Sequence, residues 1–173
     1  MKNLLFLKES HSMHPYLKRQ LTFSVVCVGA CLLVGYLSSI ATDAGMGSWY
    51  AQLNKPRFTP PNWIFGPVWG LLYICMGISV ALVWAKGFHH IWVKTAMYHF
   101  IFQLLFNALW SLTFFGLHAL FASLLVIITL LFLIGFTIKW FRVVDKRAAL
   151  LLAPYMAWVA FATFLNFRIW MLN

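Results

Sequence analysis

Acidic residues are nearly missing from this chain: three Asp and Glu stand against 13 Lys and Arg among 173 residues. Charged residues make up only 9% of the whole, where a soluble domain carries about 25%. The composition therefore excludes a water-soluble globular fold and points to an integral membrane protein of one domain. None of the long apolar runs contains a carboxylate, which argues against a proton-coupled pump, since pumps place Asp or Glu within the membrane. Cysteine is scarce. Cys27, Cys31 and Cys75 form no CxxC and read as structural, unpaired thiols. There is no nucleophile–base pair, no phosphate loop and no metal constellation. His89-His90 is an adjacent pair without a third ligand, a weak metal signal. A formal charge of +10 would suggest nucleic acid in a soluble protein. Here the basic residues sit between apolar segments, where they act as topology signals and headgroup contacts. The expected partner is a lipid bilayer, not nucleic acid.

What is present is apolar length. Five runs, residues 21–41, 63–85, 95–117, 119–138 and 148–170, each approach the ~20 residues that cross a ~30 Å hydrocarbon core. The expected fold is all-α, an integral membrane bundle of five transmembrane helices, preceded by a basic tail over residues 1–19. The first run has the basic lead of a signal peptide but exceeds the usual ~7–15-residue apolar region, so it reads as a retained helix. Cys31 and Gly35, and Gly66 and Gly70, are small-xxx-small pairs that permit close helix packing. Pro67 lies in a first turn, where proline is tolerated. Pro154 lies well inside the fifth run and predicts a kink. The fourth run is apolar all round, which suits lipid or an oligomer face. Gly29 to Gly35 is a second candidate for that face. Ten basic residues fall on the amino-terminal side of the membrane and three on the other. In a bacterial inner membrane this places the amino terminus in the cytoplasm.

Three runs carry polar or aromatic stripes at helical spacing. The fifth offers Tyr155, Trp158, Ala162 and Asn166. The third offers His99, Gln103, Asn107 and Ser111, with Trp110 at its flank. The second offers Trp69 and Tyr73, extended by Gly77. Polar groups cannot face lipid cheaply, so these stripes point at protein or at a ligand. Both readings stand: hydrogen bonds that hold helices together, or the wall of a binding cavity.

The stretch from residue 43 to residue 62 breaks the apolar pattern with Pro56, Pro60 and Pro61, and it carries Trp49 and Tyr50. A loop this long in a compact bundle tends to be functional, and its prolines restrict it. It reads as an ordered lid, with an interfacial aromatic belt as the alternative. A cavity under it would be mostly aromatic and nearly uncharged. That suits a large, flat, apolar ligand and does not suit an inorganic ion.

The loop WYAQLNKPRFTPPNW (Trp49 to Trp63) resembles the signature of the tryptophan-rich sensory protein/translocator protein family, once called peripheral-type benzodiazepine receptors. VWGLLYICMGISVALVW (Val68 to Trp84), FNALWSLTFFGLH (Phe106 to His118) and PYMAWVAFATFLN (Pro154 to Asn166) match its other hallmarks in order and spacing. The resemblance covers about residues 20–173. It implies a five-helix bundle, often a homodimer, whose pocket is closed by the first long loop. It implies porphyrins, protoporphyrin IX above all, as ligands, and no required cofactor. By motif, Trp69 and Trp158 match the tryptophans implicated in bacterial porphyrin binding and in light-dependent porphyrin breakdown. Tyr50, Asn107, Trp110 and Ala162 match pocket-lining positions. Phe167-Arg168 stands where the sterol motif of animal members has a tyrosine before its basic residue.

The expected function is tetrapyrrole binding in transport, sensing or stress regulation. The alternatives are photo-oxidative porphyrin degradation, with Trp69 and Trp158 redox-active, and a membrane scaffold. The expected binding set is Trp49, Tyr50, Trp69, Tyr73, Gln103, Asn107, Trp110, Tyr155, Trp158, Ala162 and Asn166.

Overall fold

A run of about 20 apolar residues in lipid has one economical backbone, the helix, because only there does every N–H find a carbonyl within the segment. The computed structural model of the chain, which describes residues 15–47 and 49–173, obeys this rule. Its elements are α1 (Pro15–Met46), a short α2 (Trp49–Gln52), α3 (Asn62–Trp84), α4 (Ile91–Ser111), a π-helical turn (Leu112–Gly116), α5 (Leu120–Val144), α6 (Lys146–Leu151) and α7 (Ala153–Leu172). The described residues contain no strand. Five stretches are long and apolar enough to cross a membrane: 20–40, 62–84, 91–116, 120–144 and 146–172. The protein is therefore an all-α, multi-pass integral membrane protein.

The amino-terminal tail lies outside the described residues as far as residue 14; from Pro15 the backbone is helical. α1 runs on to Met46, past Asp43 and Gly45, so the first interruption begins later than those residues suggest. At the other end, Pro154 does not kink a continuous helix. α6 ends at Leu151, and α7 begins afresh at Ala153 with the proline in its first turn, where its missing N–H costs nothing. Asp145 opens α6: its side chain accepts a hydrogen bond from the Arg147 amide at 2.9 Å.

α1 packs mainly on α3, and α4 mainly on α5. The first pair approaches so closely at Gly77 that an added Cβ would collide with the Val28 backbone. Higher up, a Cβ on Gly35 would lie 2.5 Å from the Tyr73 ring. By contrast, Gly66 and Gly70 have nothing within 4 Å. That pair holds space open instead of drawing helices together. α5 is not lipid-facing all round either. Ser123, Leu124, Ile127, Leu130, Ile134, Thr137 and Phe141 bury one face in the bundle, while Phe121, Leu125, Phe132 and Phe136 cover the outer face.

Candidate functional site

The polar stripes meet in the core. Tyr73 donates its hydroxyl hydrogen to Asn107 Oδ1 at 2.6 Å. Asn107 Nδ2 donates to the Tyr155 hydroxyl at 3.1 Å, and Tyr155 donates to Gln103 Oε1 at 2.8 Å. This directional chain ties α3, α4 and α7 together where water is excluded, and each bond satisfies a group that would otherwise be costly to bury. A second knot lies nearer the π-helical turn. The Trp110 indole and the Ser123 hydroxyl both donate to Asn166 Oδ1, each at 3.1 Å, and Asn166 Nδ2 donates to the Leu120 carbonyl at 3.1 Å. Gln103, Tyr155 and Asn166 are at most 1% exposed. Tyr155 and Gln103 bond to each other and Asn166 to Trp110, Ser123 and Leu120, so these are the interhelical bonds of the two readings that the stripes allow.

Beside this core lies a cavity of about 490 Å³, within the usual ~300–1,000 Å³ of small-molecule sites. α1 supplies Leu32, Gly35, Tyr36, Ser38, Ser39 and Thr42 to its wall. α3 supplies Asn62, Trp63, Phe65, Gly66, Trp69, Gly70 and Tyr73. α4 and the π-helical turn supply Asn107, Trp110, Ser111 and Phe115. The Trp69 ring lies 6.0 Å from Trp110, 5.9 Å from Tyr73 and 6.3 Å from Tyr155, centroid to centroid. One side is therefore a continuous aromatic surface. The opposite end is hydroxylic. Ser111 and Thr42 both donate to the Ser38 carbonyl, at 2.9 and 3.2 Å, and their hydroxyl oxygens lie 2.8 Å apart. No charged side chain among the described residues lines the cavity. Tyr36 is 66% and Trp63 74% exposed, so the cavity opens sideways between α1 and α3.

The connection between α1 and α3 is pinned to the bundle at several points. Trp49 stacks on His118 at 4.2 Å and meets Phe114 edge-on. Tyr50 is 2% exposed and packs against Phe114 and Phe115. Burial pushes its phenol up to about 12, so it stays neutral. Lys55 donates to the Tyr50 carbonyl at 2.9 Å, and Phe58 stacks on Phe164 of α7. The receiving surface is the π-helical turn, whose wider backbone turns Phe114 and Phe115 toward α2. Two residues beyond its end, His118 is held at φ 53°, a left-handed value uncommon for a residue other than glycine.

Of the residues expected at the site, the structure brings Trp69, Tyr73, Asn107 and Trp110 to the cavity wall. Tyr50, Ala162 and Asn166 line a second cleft of about 20 Å³, which shares Phe65, Trp110 and Phe115 with the first. Trp49, Gln103, Tyr155 and Trp158 line neither. Trp158 sits behind Phe65, ring to ring at 6.0 Å. Its indole nitrogen is the one buried side-chain polar atom without a hydrogen-bond partner among the described residues. Sequence reasoning missed the α1 wall. Its signal was Leu32, Tyr36, Ser39 and Thr42 at spacings of four, three and three, a single helical face. Among the described residues no group of His, Cys, Asp and Glu could hold a metal.

Residues 27–171 match the TspO/MBR family. The chain is similar to the tryptophan-rich protein TspO of Chlorobaculum tepidum, 40% identical over 91% of this chain and 99% of the relative. Similarity extends to protein CrtK of Rhodobacter capsulatus, 37% identical over 88% of this chain and 94% of that protein. The human translocator protein is 41% identical over 70% of this chain and 73% of its own length.

Proposed function

This chain belongs to the TspO/MBR family, and from that premise we propose that it binds flat, apolar tetrapyrroles, protoporphyrin IX-like porphyrins first, in the cavity between α1, α3 and α4. The protein then serves in tetrapyrrole transport, sensing or stress regulation. The observation that carries the reading is the wall of Phe65, Trp69, Tyr73 and Trp110 around about 490 Å³. Aromatic faces stack on a planar macrocycle and bury much area. The Ser38, Ser39, Thr42 and Ser111 end offers hydroxyls to its polar edge. Trp69, Tyr73, Asn107 and Trp110 are the wall contacts. Trp158 joins them when Phe65 moves aside, and its unpartnered N–H then meets an acceptor on the ligand. We place the protein in a bacterial cell membrane with a cytoplasmic amino terminus, as the loop charges suggest, and as a homodimer.

Titration of the purified protein with protoporphyrin IX in the dark, followed by tryptophan emission, tests the reading. Saturable quenching that weakens in Trp69→Phe supports it. Non-saturable quenching, equal in both proteins, means that the porphyrin only partitions into detergent.

A second reading, light-dependent breakdown of bound porphyrin, is favoured by one observation. Trp69, at the cavity wall, is in ring contact with Trp110, Tyr73 and Tyr155, a set of oxidisable side chains next to the ligand. Illumination in air should bleach the porphyrin bands in the parent protein and not in Trp69→Phe. Equal bleaching in both removes the tryptophan role.

A further inference from the structure

The end of the bundle opposite the cavity carries Lys86, Lys94, Lys139, Arg142, Lys146 and Arg147. Asp145 is its one carboxylate among the described residues. It pairs with Lys86 at 3.5 Å and with Arg147 at 3.4 Å. Lys94, Lys139, Arg142 and Lys146 have no carboxylate within ion-pair distance among the described residues. Excess charge of one sign beside a bilayer attracts acidic lipid. In one place this charge adjoins a shaped surface.

That surface runs along the outer side of α4 and α5. Trp92, Thr95 and His99 share a face of α4; Phe136, Lys139 and Trp140 share a face of α5. Trp92 stacks on Trp140 with centroids 5.6 Å apart and planes 18° from parallel. His99 lies 6.0 Å from Trp140 and 6.3 Å from Phe136. The Lys139 ammonium sits 5.7 Å from the Trp140 ring centroid. Trp92 is 52% and Phe136 50% exposed, so the aromatic faces are not consumed by the core. His99 adds a polar group. Its Nδ1 lies 2.8 Å from the Thr95 carbonyl and so must carry the proton. Its Nε2 takes no hydrogen bond from the described residues. A histidine within a span, half-buried and with one nitrogen unused, calls for a partner.

We infer that this face across α4 and α5 is a binding site for one membrane phospholipid of net negative headgroup. Lys139 faces the headgroup, the Trp92–Trp140 stack supports the glycerol region, and the acyl chains descend past Phe136 and His99. Two observations separate this from an ordinary interfacial aromatic belt. The indoles stack on each other beside a cation with no carboxylate partner, and the unused imidazole nitrogen lies deeper on the same face.

The test uses the full chain in nanodiscs of phosphatidylcholine alone and with a minority of phosphatidylglycerol, read by thermal unfolding and by retention of lipid in native mass spectrometry. The expected result is one retained phosphatidylglycerol per chain and a higher unfolding temperature with the acidic lipid. Lys139→Gln should weaken retention about fivefold, the effect of one interfacial cation, and Trp92→Leu should weaken it too. Lys146→Gln, on α6 and not on that face, should not. Equal losses from Lys139→Gln and Lys146→Gln would mean diffuse surface charge and overturn the site. So would equal stabilisation by soluble glycerol phosphate, which would mark a free-anion site without need of acyl chains. All three positions are exposed or half-exposed, so folding survives the substitutions.

Discussion

Asn54 and Asn173 hold each other across the bundle. The Asn54 amide donates to Asn173 Oδ1 at 2.9 Å, and Asn173 Nδ2 donates back to the Asn54 carbonyl at 3.0 Å. Asn54 Nδ2 reaches the Leu172 carbonyl at 3.3 Å. The connection between α1 and α3 is thus fastened to the end of α7 as well as to the π-helical turn. Asn173→Ala removes two of these bonds and the Asn173 bond to Ile169. Exposed bonds lie at the low end of the ~0.5–1.5 kcal/mol range, so global stability should hardly change. Hydrogen exchange of amides 49–60 should rise severalfold. Unchanged exchange would show that the aromatic contacts alone hold the loop.

The chain from Tyr73 through Asn107 and Tyr155 to Gln103 should be expensive to interrupt. Tyr155→Phe leaves Asn107 Nδ2 without its acceptor and Gln103 Oε1 without its donor, both buried, at about 1–3 kcal/mol for each stranded group. Thermal unfolding in detergent should fall by several degrees, and Asn107→Leu should fall at least as far. A neutral Tyr155→Phe would mean that water enters the gap.

Two glycines on α3 should behave in opposite ways. Gly77→Ala drives a methyl into the Val28 backbone and should cost about 1–3 kcal/mol, the usual effect of overpacking. Gly70→Leu enters open space and should leave folding intact while filling the cavity. Porphyrin quenching should then be lost at unchanged unfolding temperature. Loss of stability in Gly70→Leu would show that the space is not available to a side chain.

Asp145 supplies a pH dependence. Burial pushes its carboxyl up, but hydrogen bonds from Arg147 and the charges of Arg147 and Lys86 together outweigh that and hold it below the usual carboxylate range. Its contribution is therefore complete above that range and is lost as pH falls through the depressed folded value. Asp145→Ala also removes the cap of α6, worth about 1 kcal/mol. The variant should unfold earlier at neutral pH, and its deficit should shrink on acidification. A deficit that stays constant would assign the whole effect to packing.

Much of the bundle was legible because bilayer thickness fixes helix length, and because spacings of three and four fix faces. Trp69, Tyr73, Asn107 and Trp110 follow from that alone. The same logic fails where a polar group has two kinds of partner. Gln103 and Tyr155 stand in the same stripes, yet they satisfy each other and do not line the cavity. Periodicity names the inward face; it does not say whether that face meets a helix or a void. Gly66 and Gly70 show the converse, since a missing side chain marks close packing and open space alike. The α1 face of Leu32, Tyr36, Ser39 and Thr42 is too weakly polar to stand out, because Ser38, Ser39 and Thr42 hydroxyls can bond back to carbonyls of their own helix. The π-helical turn has no sequence signature at all.

The contact of Gly77 with Val28 sets how the cavity can change size. The Val28 backbone lies against Gly77 there, and backbone cannot give way as a flexible side chain can, so α1 and α3 have a fulcrum. Toward Gly66 and Tyr36 the same two helices are arms of a lever. A small tilt about Val28 becomes a large change of width at the opening, without any slip of the core. The width of the opening can then change while the core keeps its bonds, and the connection fastened by Asn54 and Trp49 limits how far the arms part.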